Sequence, residues 1–312
     1  KKLIGRRNAF LLGLLLRGAW GFARSGFRFR PDSIPFDRFD YDKALAGVYP
    51  NRLFLCILGH LTGIRPMRAI TASVWCAEDG AGYQILMRMR ALAFARSLGL
   101  AYVHTPMFTI HQSEGEMADY CREWEGLFNL GQGGKVADAV DLSLFDFSWA
   151  PNSAVLTLFD RPDSYFDVEA AIPDLRSKYR AAHPKNGAVT KTSDKPLTVC
   201  IHVRRGWDMS PALTHMWTGD EKVATTIRSV RDTLEKMGTA HELCIVSRGD
   251  PEEFRKAFGE GITYLLNEPA TVAVQRLIEA DLFVMARSCF SYVAAIISDG
   301  VKIYESWENP RL

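Results

Sequence analysis

The sequence lacks closely spaced cysteines. Its six cysteines stand singly along 312 residues, without a CxxC pair: Cys56, Cys76, Cys121, Cys200, Cys244 and Cys289. A structural zinc site and a disulfide-bonded scaffold both need grouped thiols, so this spacing argues against both. We interpret most of these cysteines as buried thiols in a reducing compartment and expect a cytoplasmic protein.

An excess of charge of one sign is also missing. The 38 basic and 36 acidic residues nearly cancel. General nucleic-acid-binding proteins carry a broad positive field, which this composition does not supply. We therefore expect no nucleic-acid partner, and any strongly basic binding site must be local.

The apolar stretch near the N-terminus is too short to span a membrane. Residues 9–16 are mostly apolar, Arg17 interrupts them, and basic residues flank them, whereas a spanning helix needs roughly 20 apolar residues. Two interpretations stay open: an ordinary packing helix, or a basic amphipathic helix on an anionic membrane surface. The second predicts peripheral membrane contact on the cytoplasmic face. For a eukaryotic protein, the Golgi lumen is the alternative to the cytoplasmic location that the cysteines indicate.

The apolar pattern after this stretch predicts an α/β protein. An N-terminal helix and irregular lead-in occupy residues 1–66. A strand, a glycine loop, a helix and a second strand then follow within residues 67–75, 76–82, 83–98 and 100–106. This order is a βαβ unit, which predicts a parallel sheet in a first Rossmann-like domain, residues 67–190. The polar stretch 167–196 contains the boundary, and its residues 183–196 have the composition of a linker.

The second half of the chain repeats the alternation of strands and helices. Five apolar segments predict strands, at 197–203, 243–247, 262–266, 282–286 and 301–305. Asp250 is a predicted helix cap, with Pro251 in the first turn. We therefore expect a second Rossmann-like domain over residues 191–312. Parallel sheets bind ligands at the carboxyl ends of their strands, so we expect the two sheets to face an interdomain cleft.

A glycine-containing loop joins the first strand to the first helix. It reads EDGAGYQ, residues 78–84. Glycines allow close approach of the backbone to a ligand, and free N–H groups at a helix start favour an anion such as a diphosphate. The GxGxxG pattern is absent, because Ile85 stands after this loop, so a tight turn without a ligand remains an equal alternative.

The segment CIHVRRGWDM, residues 200–209, ends the first strand of the second half. It delivers His202, Arg204 and Arg205 to the carboxyl edge of the sheet. Alternation sends the two arginines in opposite directions, so one can face a ligand while the other pairs structurally. A guanidinium makes bidentate, permanently charged contacts with phosphate oxygens. Surface ion pairing of both arginines is the competing interpretation.

The third motif is EADLFVMARSCFSYVAAI, residues 279–296. An apolar strand ends at Ala286, and Ser288 and Ser291 then open a helix. Their hydroxyls and the N–H groups of the helix start could hold a second phosphate, while plain capping by serine is the alternative. All three motifs suit a diphosphate bound at strand ends.

These three motifs, in this order, resemble those of the fucosyltransferase superfamily that includes α-1,2- and α-1,6-fucosyltransferases, the nodulation fucosyltransferase and protein O-fucosyltransferases. The resemblance spans roughly residues 70–305, and HxRR is its most specific part. It implies a GT-B fold, with the first domain on the acceptor side and the second binding the nucleotide sugar. It also implies GDP-fucose as donor substrate, inversion at the anomeric carbon, no metal and no cofactor.

The resemblance also implies roles for individual residues. Arg204 would contact the diphosphate, His202 would lie near the nucleotide, and Arg205 would support the site. The remaining donor-binding candidates are Gly80, Gly82, Tyr83 and Gln84 in the first domain and Ser288, Cys289 and Ser291 in the second.

The sequence departs from the family pattern at three places. Tyr83 stands where the family usually has Asn. Trp207 displaces the acidic residue after the arginine motif, so that Asp208 comes one place late. Ala273 stands where several relatives have an Asp that binds guanine.

A general base must remove the proton of the acceptor hydroxyl in an inverting transfer. Asp208 is the preferred candidate because it is near the arginine motif, and His111 is the second. Asp220 at the next helix start, and His104 after the second strand, are further candidates. A DxD motif after a strand, typical of metal-dependent transferases, is not visible, so we expect no metal.

The sequence thus predicts a metal-independent, inverting glycosyltransferase that moves fucose to a glycan or glycoconjugate, as in polysaccharide biosynthesis. Two alternatives stay open. The same fold could use another nucleotide sugar, or the protein could bind a nucleotide sugar or glycan without catalysing transfer.

Overall fold

The computed structural model describes residues 33–35, 68–72, 80–97, 100–111, 113–141, 145–146, 168–184, 195–205 and 216–304. The predicted N-terminal helix, Trp207 and Asp208 lie outside these residues. Within the described ranges, no helix is long and apolar enough to cross a membrane. The chain divides into an N-terminal unit, Lys1–Lys178 with Asn309–Leu312, and a C-terminal unit, Tyr179–Glu308.

Before residue 147, the described part of the N-terminal unit consists of short strands and two long helices. In chain order they are β1 Ser33–Pro35, β2 Ala69–Thr71, α1 Ala81–Ser97, β3 Ala101–His104, α2 Met117–Phe128, β4 Lys135–Val136, β5 Ala139–Asp141 and β6 Phe145–Asp146. The order β4-β3-β2-β6 makes a parallel sheet, and β1 pairs with β5 antiparallel. Ala69 of β2 is in register with Ala101 of β3, so the predicted βαβ unit and its parallel pairing are confirmed.

Helix α1 is buried on nearly all sides. Ile85, Leu86, Met89 and Leu92 are each less than 5% exposed. A helix that is buried around nearly its whole circumference lies in a core rather than at a surface. Packing of α1 therefore fixes the ends of β2 and β3, which it connects.

Helix α2 was not predicted from the sequence. Its buried residues follow helical spacing and are Tyr120, Cys121, Trp124, Leu127 and Phe128. The helix ends at Asn129, whose backbone adopts the left-handed conformation at φ 49° and so closes the last turn.

Helix α3, Val168–Ala182, occupies the first part of the polar stretch 167–196 and was not predicted from the sequence. Its buried positions include Ala171, Leu175 and Tyr179, which are four residues apart. This stripe is narrow, and polar residues surround it, so the composition of the segment does not reveal the helix. The linker-like residues 183–196 follow α3 in the sequence.

The C-terminal unit is a five-stranded parallel sheet with helices between its strands. The elements are β7 Leu197–His202, α4 Asp220–Lys236, β8 His241–Ser247, α5 Pro251–Phe258, β9 Thr263–Leu266, α6 Ala270–Glu279, β10 Leu282–Val284, α7 Cys289–Ile297 and β11 Val301–Ile303. All five predicted strands are present. The prediction of an α/β protein with two parallel sheets is confirmed.

Asp250 caps α5 as predicted. Its Oδ1 accepts hydrogen bonds from the backbone N–H groups of Glu252 at 2.8 Å and Glu253 at 3.1 Å. Pro251 is the first helical residue, where its missing N–H costs no helix hydrogen bond.

The order of the strands creates a crevice in the C-terminal unit. The sheet runs β11-β10-β7-β8-β9, so the chain first builds outward from β7 to β9 and then returns to place β10 on the other side of β7. Val284 of β10 is in register with Ile201 of β7. The strand order reverses between β7 and β10, and ligands of open parallel sheets bind at such a switch point.

The two faces of β7 have different surroundings. Val199, Ile201 and Val203 belong to the hydrophobic cluster that includes Ile227 of α4 and Phe254 of α5. The alternate residues of β7 point to the opposite face, because side chains of a strand alternate. His202 belongs to that opposite face.

Two of the singly spaced cysteines meet across neighbouring strands. Cys200 of β7 is in register with Cys244 of β8, and their sulfur atoms lie 2.6 Å apart as free, buried thiols. Cys121 is a third buried free thiol. The interpretation of most cysteines as buried thiols is confirmed for these three.

Candidate functional site

The ends of β7 and α7 bring four predicted residues together at the switch point. We call His202, Arg204, Ser288 and Ser291 the strand-end site. Arg204 follows β7, and its Nη1 donates a hydrogen bond of 3.4 Å to Oγ of Ser288. His202 contacts Ser291. Residues 84 or more positions apart in the chain thus meet where the strand order reverses.

Ser288 forms the cap of helix α7. It is buried, and its Oγ accepts from the backbone N–H of Phe290 at 3.2 Å. The start of an α-helix carries a partial positive charge and free N–H groups. Ser288 therefore joins the guanidinium of Arg204 to the positive end of α7. Cys289 is the first residue of this helix and is partly buried.

Ser291 contacts the ring of His202. Oγ of Ser291 accepts a hydrogen bond from the backbone N–H of Ala286 at 3.1 Å and lies 2.6 Å from Nδ1 of His202. When the hydroxyl of Ser291 donates to Nδ1, His202 carries its own proton on Nε2.

His202 is held in its neutral form. Burial, and secondly the charge of Arg204, lower the pKa of His202 from 6.5 to about 3. Its ring also packs against Phe290, with 5.4 Å between the ring centroids. His202 is therefore a neutral ring, while the positive charge of the strand-end site comes from Arg204.

Arg205 turns to the other face of the sheet, as the alternation predicted. It forms an ion pair with Asp220 at the start of α4, and its guanidinium lies 4.5 Å from the ring centroid of Trp217. Its Nη1 also donates to the backbone oxygen of Arg204 at 3.0 Å. Arg205 thus has a structural pairing, and the carboxylate of Asp220, a candidate base, is engaged in it.

The glycine loop of the N-terminal unit leads directly into α1. Gly80 is exposed, and its backbone oxygen accepts from the N–H groups of Tyr83 at 3.1 Å and Gln84 at 3.2 Å. Gly82 is buried and Tyr83 is partly buried. Gly80 therefore starts the helix.

Gln84 and His111 have contrasting surroundings. Gln84 is 2% exposed, and its Nε2 donates to the backbone oxygen of Thr109 at 2.8 Å, which holds the segment after β3. His111 ends this segment as an exposed residue in a turn. The structure brings Gly80, Gly82, Tyr83 and Gln84 together at the start of α1.

The sequence interpretation missed a buried polar cluster in the N-terminal unit. We call Arg88, Tyr102, His104 and Glu125 the Arg88 cluster. Arg88 is 1% exposed, and its Nε donates to the backbone oxygen of Thr105 at 2.8 Å. In the sequence, the one indication of this cluster is Arg88, which stands among the apolar residues of the predicted helix 83–98.

Glu125 is the acidic centre of the Arg88 cluster. Its Oε2 lies 2.7 Å from Nε2 of His104, and its Oε1 accepts from the backbone N–H of Met107 at 2.7 Å. Burial alone would raise the pKa of Glu125, but the hydrogen bond and charge of His104, the charge of Arg88 and the Met107 N–H together hold this pKa below its ordinary value. The carboxylate is therefore ionised and fully engaged.

Both ring nitrogens of His104 have protein partners. Nδ1 lies 3.1 Å from the hydroxyl of Tyr102, and Nε2 contacts Glu125. A general base needs a nitrogen that faces the substrate. The prediction of His104 as a candidate base is therefore wrong, because neither nitrogen is left for an acceptor.

No family model and no curated protein matches the chain. Among solved structures, the fucosyltransferase NodZ from Bradyrhizobium is similar, with 11% sequence identity and a TM-score of 0.37 over 74% of this chain and 94% of that chain. NodZ alpha-1,6-fucosyltransferase co-crystallized with GDP has 11% identity and a TM-score of 0.39 over 74% and 93%. POFUT1 in complex with GDP-fucose has 13% identity and a TM-score of 0.26 over 75% and 72%.

Proposed function

We propose that the protein is an inverting glycosyltransferase that moves fucose from GDP-fucose to a hydroxyl group of a glycan or glycoconjugate. One observation carries the proposal. Arg204 and the capped start of α7 converge, through the 3.4 Å contact of Arg204 with Ser288, at the point where the strand order of the C-terminal unit reverses. That point is where open parallel sheets bind nucleotides.

The strand-end site has the chemistry that a leaving diphosphate requires. When the bond between the sugar and the β-phosphate breaks, negative charge grows on the phosphate oxygens. The guanidinium of Arg204 and the N–H groups at the start of α7 stabilise this charge, and neutral His202 adds a hydrogen-bond donor. These groups supply positive charge without a divalent cation, so we propose a metal-independent reaction.

The proposed transfer is a single displacement. The acceptor hydroxyl gives its proton to a base, and its oxygen forms a bond to the anomeric carbon of fucose. The bond from that carbon to the phosphate oxygen breaks on the opposite side, and GDP leaves with the bonding electrons. Asp208, three residues after Arg205 in the sequence, is the proposed base, and His111 is the second candidate.

The choice of GDP-fucose rests on the sequence motifs. GAGYQ, HVRRG and ADLFVMARSCFSY occur in the order in which they occur in the fucosyltransferase superfamily. GDP and GDP-fucose are the ligands named for two of the similar structures. Ala273, which replaces the guanine-binding Asp of several relatives, is partly buried on α6.

Ligand-induced stabilisation tests the donor site. A ligand at about 100 times its Kd stabilises a folded protein by about 2.7 kcal/mol. We expect millimolar GDP to raise the Tm of the native protein, with smaller or no effects of UDP and dTDP. The variant Arg204→Ala should lose this response. Arg228→Ala removes an exposed arginine of α4 that contacts Thr225 and should keep it.

Three results would separate the alternatives. If none of the three nucleotides changes the Tm, the donor-site proposal is wrong. If GDP binds but mass spectrometry finds no fucosylated product with a broad set of acceptor glycans, the protein is a nucleotide-sugar-binding protein without transfer. Transfer of another sugar in the same screen would replace fucose in the proposal.

A further inference from the structure

The C-terminal unit has a cavity that the donor site does not use. It has a volume of about 460 Å³ and lies beside α4 and α5. Arg205, Asp220, Arg248, Glu253 and Phe258 contribute to its lining. The strand-end site uses Arg204, which turns to α7, whereas this cavity uses Arg205, which turns to α4.

One wall of the cavity is already fixed without a ligand. Asn267 binds the backbone of Gly249 twice: its Nδ2 donates to the Gly249 oxygen at 2.9 Å, and its Oδ1 accepts from the Gly249 N–H at 3.1 Å. Both residues line the cavity. This double contact holds the end of β9 to the turn between β8 and α5, so binding needs little reordering.

Gly249 is required for this wall. Its φ is 144°, and a Cβ atom at this position would lie 2.7 Å from Cε2 of Phe254. A side chain would therefore displace Phe254, which is 5% exposed and lines the cavity. The turn and the aromatic ring fit only with glycine here.

The charges that line the cavity cancel. Arg205 and Arg248 contribute two positive charges, and Asp220 and Glu253 contribute two negative charges. Arg205 is also neutralised directly by its ion pair with Asp220. A lining without net charge does not favour a free anion or cation, whereas it offers both donors and acceptors to a neutral, polar ligand.

The apolar part of the lining is small and comes from one helix face. Phe254, Ala257 and Phe258 follow each other at helical spacing on α5, and all three line the cavity. Phe254 is buried and packs edge-on against Tyr264, at 6.3 Å and 72°, whereas Phe258 is only partly buried. A sugar ring, with C–H groups on one side and hydroxyls at its edge, matches this combination.

We infer that the cavity is a saccharide subsite, which holds one neutral sugar unit of a glycan. The choice of a sugar as the ligand rests on the proposed function. Arg205 lines the cavity and is the next residue after Arg204, so a sugar bound here lies at the same edge of the sheet as the proposed diphosphate but on the opposite face, beside α4 and α5.

Saturation-transfer NMR tests the subsite without any transfer reaction. The probes are the methyl glycosides of glucose, galactose, mannose, N-acetylglucosamine and N-acetylgalactosamine, with guanosine as a nucleobase probe. The variant Ala257→Trp fills the cavity from the α5 wall. Its matched control is Lys256→Trp, which adds the same side chain at the preceding, exposed position outside the lining.

We expect at least one glycoside to receive saturation from the native protein and from Lys256→Trp, with the signal lost in Ala257→Trp. The same signal should persist in the presence of GDP. If Ala257→Trp does not fold, Glu253→Gln, at an exposed helix position, serves instead and should weaken the signal.

Three results would overturn the inference: no glycoside receives saturation, the signal is equal in the cavity variants, or guanosine alone binds and GDP displaces it. The Tm response to GDP is measured on the same samples. If GDP raises the Tm but no glycoside binds, the saccharide subsite is wrong and the donor site is supported. If a glycoside binds but GDP does not raise the Tm, the donor site is wrong and the saccharide subsite is supported.

Discussion

The Arg88 cluster and the strand-end site use the same residue types for different purposes. Each has an arginine and a histidine near the carboxyl end of a central parallel strand. In the Arg88 cluster the arginine is 1% exposed, and both oxygens of Glu125 and both nitrogens of His104 have protein partners. In the strand-end site Arg204 is partly exposed, donates to Ser288 at the start of α7, and lies near enough to His202 for its charge to lower the pKa of that ring.

The difference lies in how the positive charge is compensated. Glu125 compensates the charge of Arg88 inside the protein, so this cluster stabilises the fold. At the strand-end site the start of α7 adds positive character beside Arg204, and such a helix start favours a bound anion. We therefore expect a phosphate to stabilise the second arrangement and not the first, so Arg88 variants should lose stability and Arg204 variants should lose the response to GDP.

The largest expected effect is on stability, in the variant Arg88→Met. It leaves the carboxylate of Glu125 without a guanidinium nearby, and breaking a buried ion pair in this way costs about 3–5 kcal/mol. Urea denaturation measures the free energy of unfolding. Arg96→Met is the matched control on the same helix, because Arg96 is exposed and its contact with Asp174 is 3.7 Å long.

Loss of the exposed Arg96 pair should cost at most about 1 kcal/mol. Equal free energies of unfolding for the two variants would mean that the Arg88 cluster does not stabilise the fold. Folded Arg88→Met should still respond to GDP, in contrast to Arg204→Ala, because Arg88 belongs to the N-terminal cluster and not to the strand-end site.

The sequence predicted the strand-end site because its residues follow strands directly. His202, Arg204 and Ser288 each stand at or just beyond the end of an apolar segment, so local alternation was sufficient to place them at one edge. The cap by Asp250 was predictable for the same reason, since capping depends only on neighbours in the chain.

Features that depend on long-range pairing were not predictable. The placement of β10 beside β7 creates the switch point, yet nothing in either segment specifies its neighbour. The meeting of Cys200 with Cys244 has the same origin, since strand register decides it. Glu125 belongs to the Arg88 cluster only because α2 packs near β3, and α2 itself was missed. The narrow apolar stripe of α3 was hidden among polar residues.

The next prediction concerns the pH dependence of stability. His202 of the strand-end site and Glu125 of the Arg88 cluster should affect stability in different pH ranges. Since the pKa of His202 is about 3 in the folded state and 6.5 in the unfolded state, the unfolded chain binds the extra proton between these values. The free energy of unfolding should therefore fall by up to about 1.4 kcal/mol per pH unit as the pH drops below 6.5.

Glu125 affects stability at lower pH than His202 does. Its pKa is lowered from 4.5 in the folded state, so its stabilising contribution is present above pH 4.5 and is lost as the pH falls further. Urea denaturation of His202→Gln between pH 7 and pH 4.5 should show a flatter profile than that of the native protein. An unchanged slope would mean that His202 is not held neutral in the fold.

The smallest effect distinguishes the two roles of Ser288. Ser288→Ala removes the cap of α7, which costs about 1 kcal/mol. Ser288→Asp keeps a side-chain oxygen for the N–H of Phe290, and its negative charge interacts favourably with the positive start of α7. The free energy of unfolding of this variant should therefore stay close to that of the native protein.

The added carboxylate also places a negative charge beside Arg204, where the phosphate is proposed to bind. Thermal denaturation with and without GDP should therefore show a stable Ser288→Asp protein that has lost its response to GDP, while Ser288→Ala is less stable and keeps part of the response. A full GDP response in Ser288→Asp would mean that Ser288 only caps the helix and that the phosphate lies elsewhere.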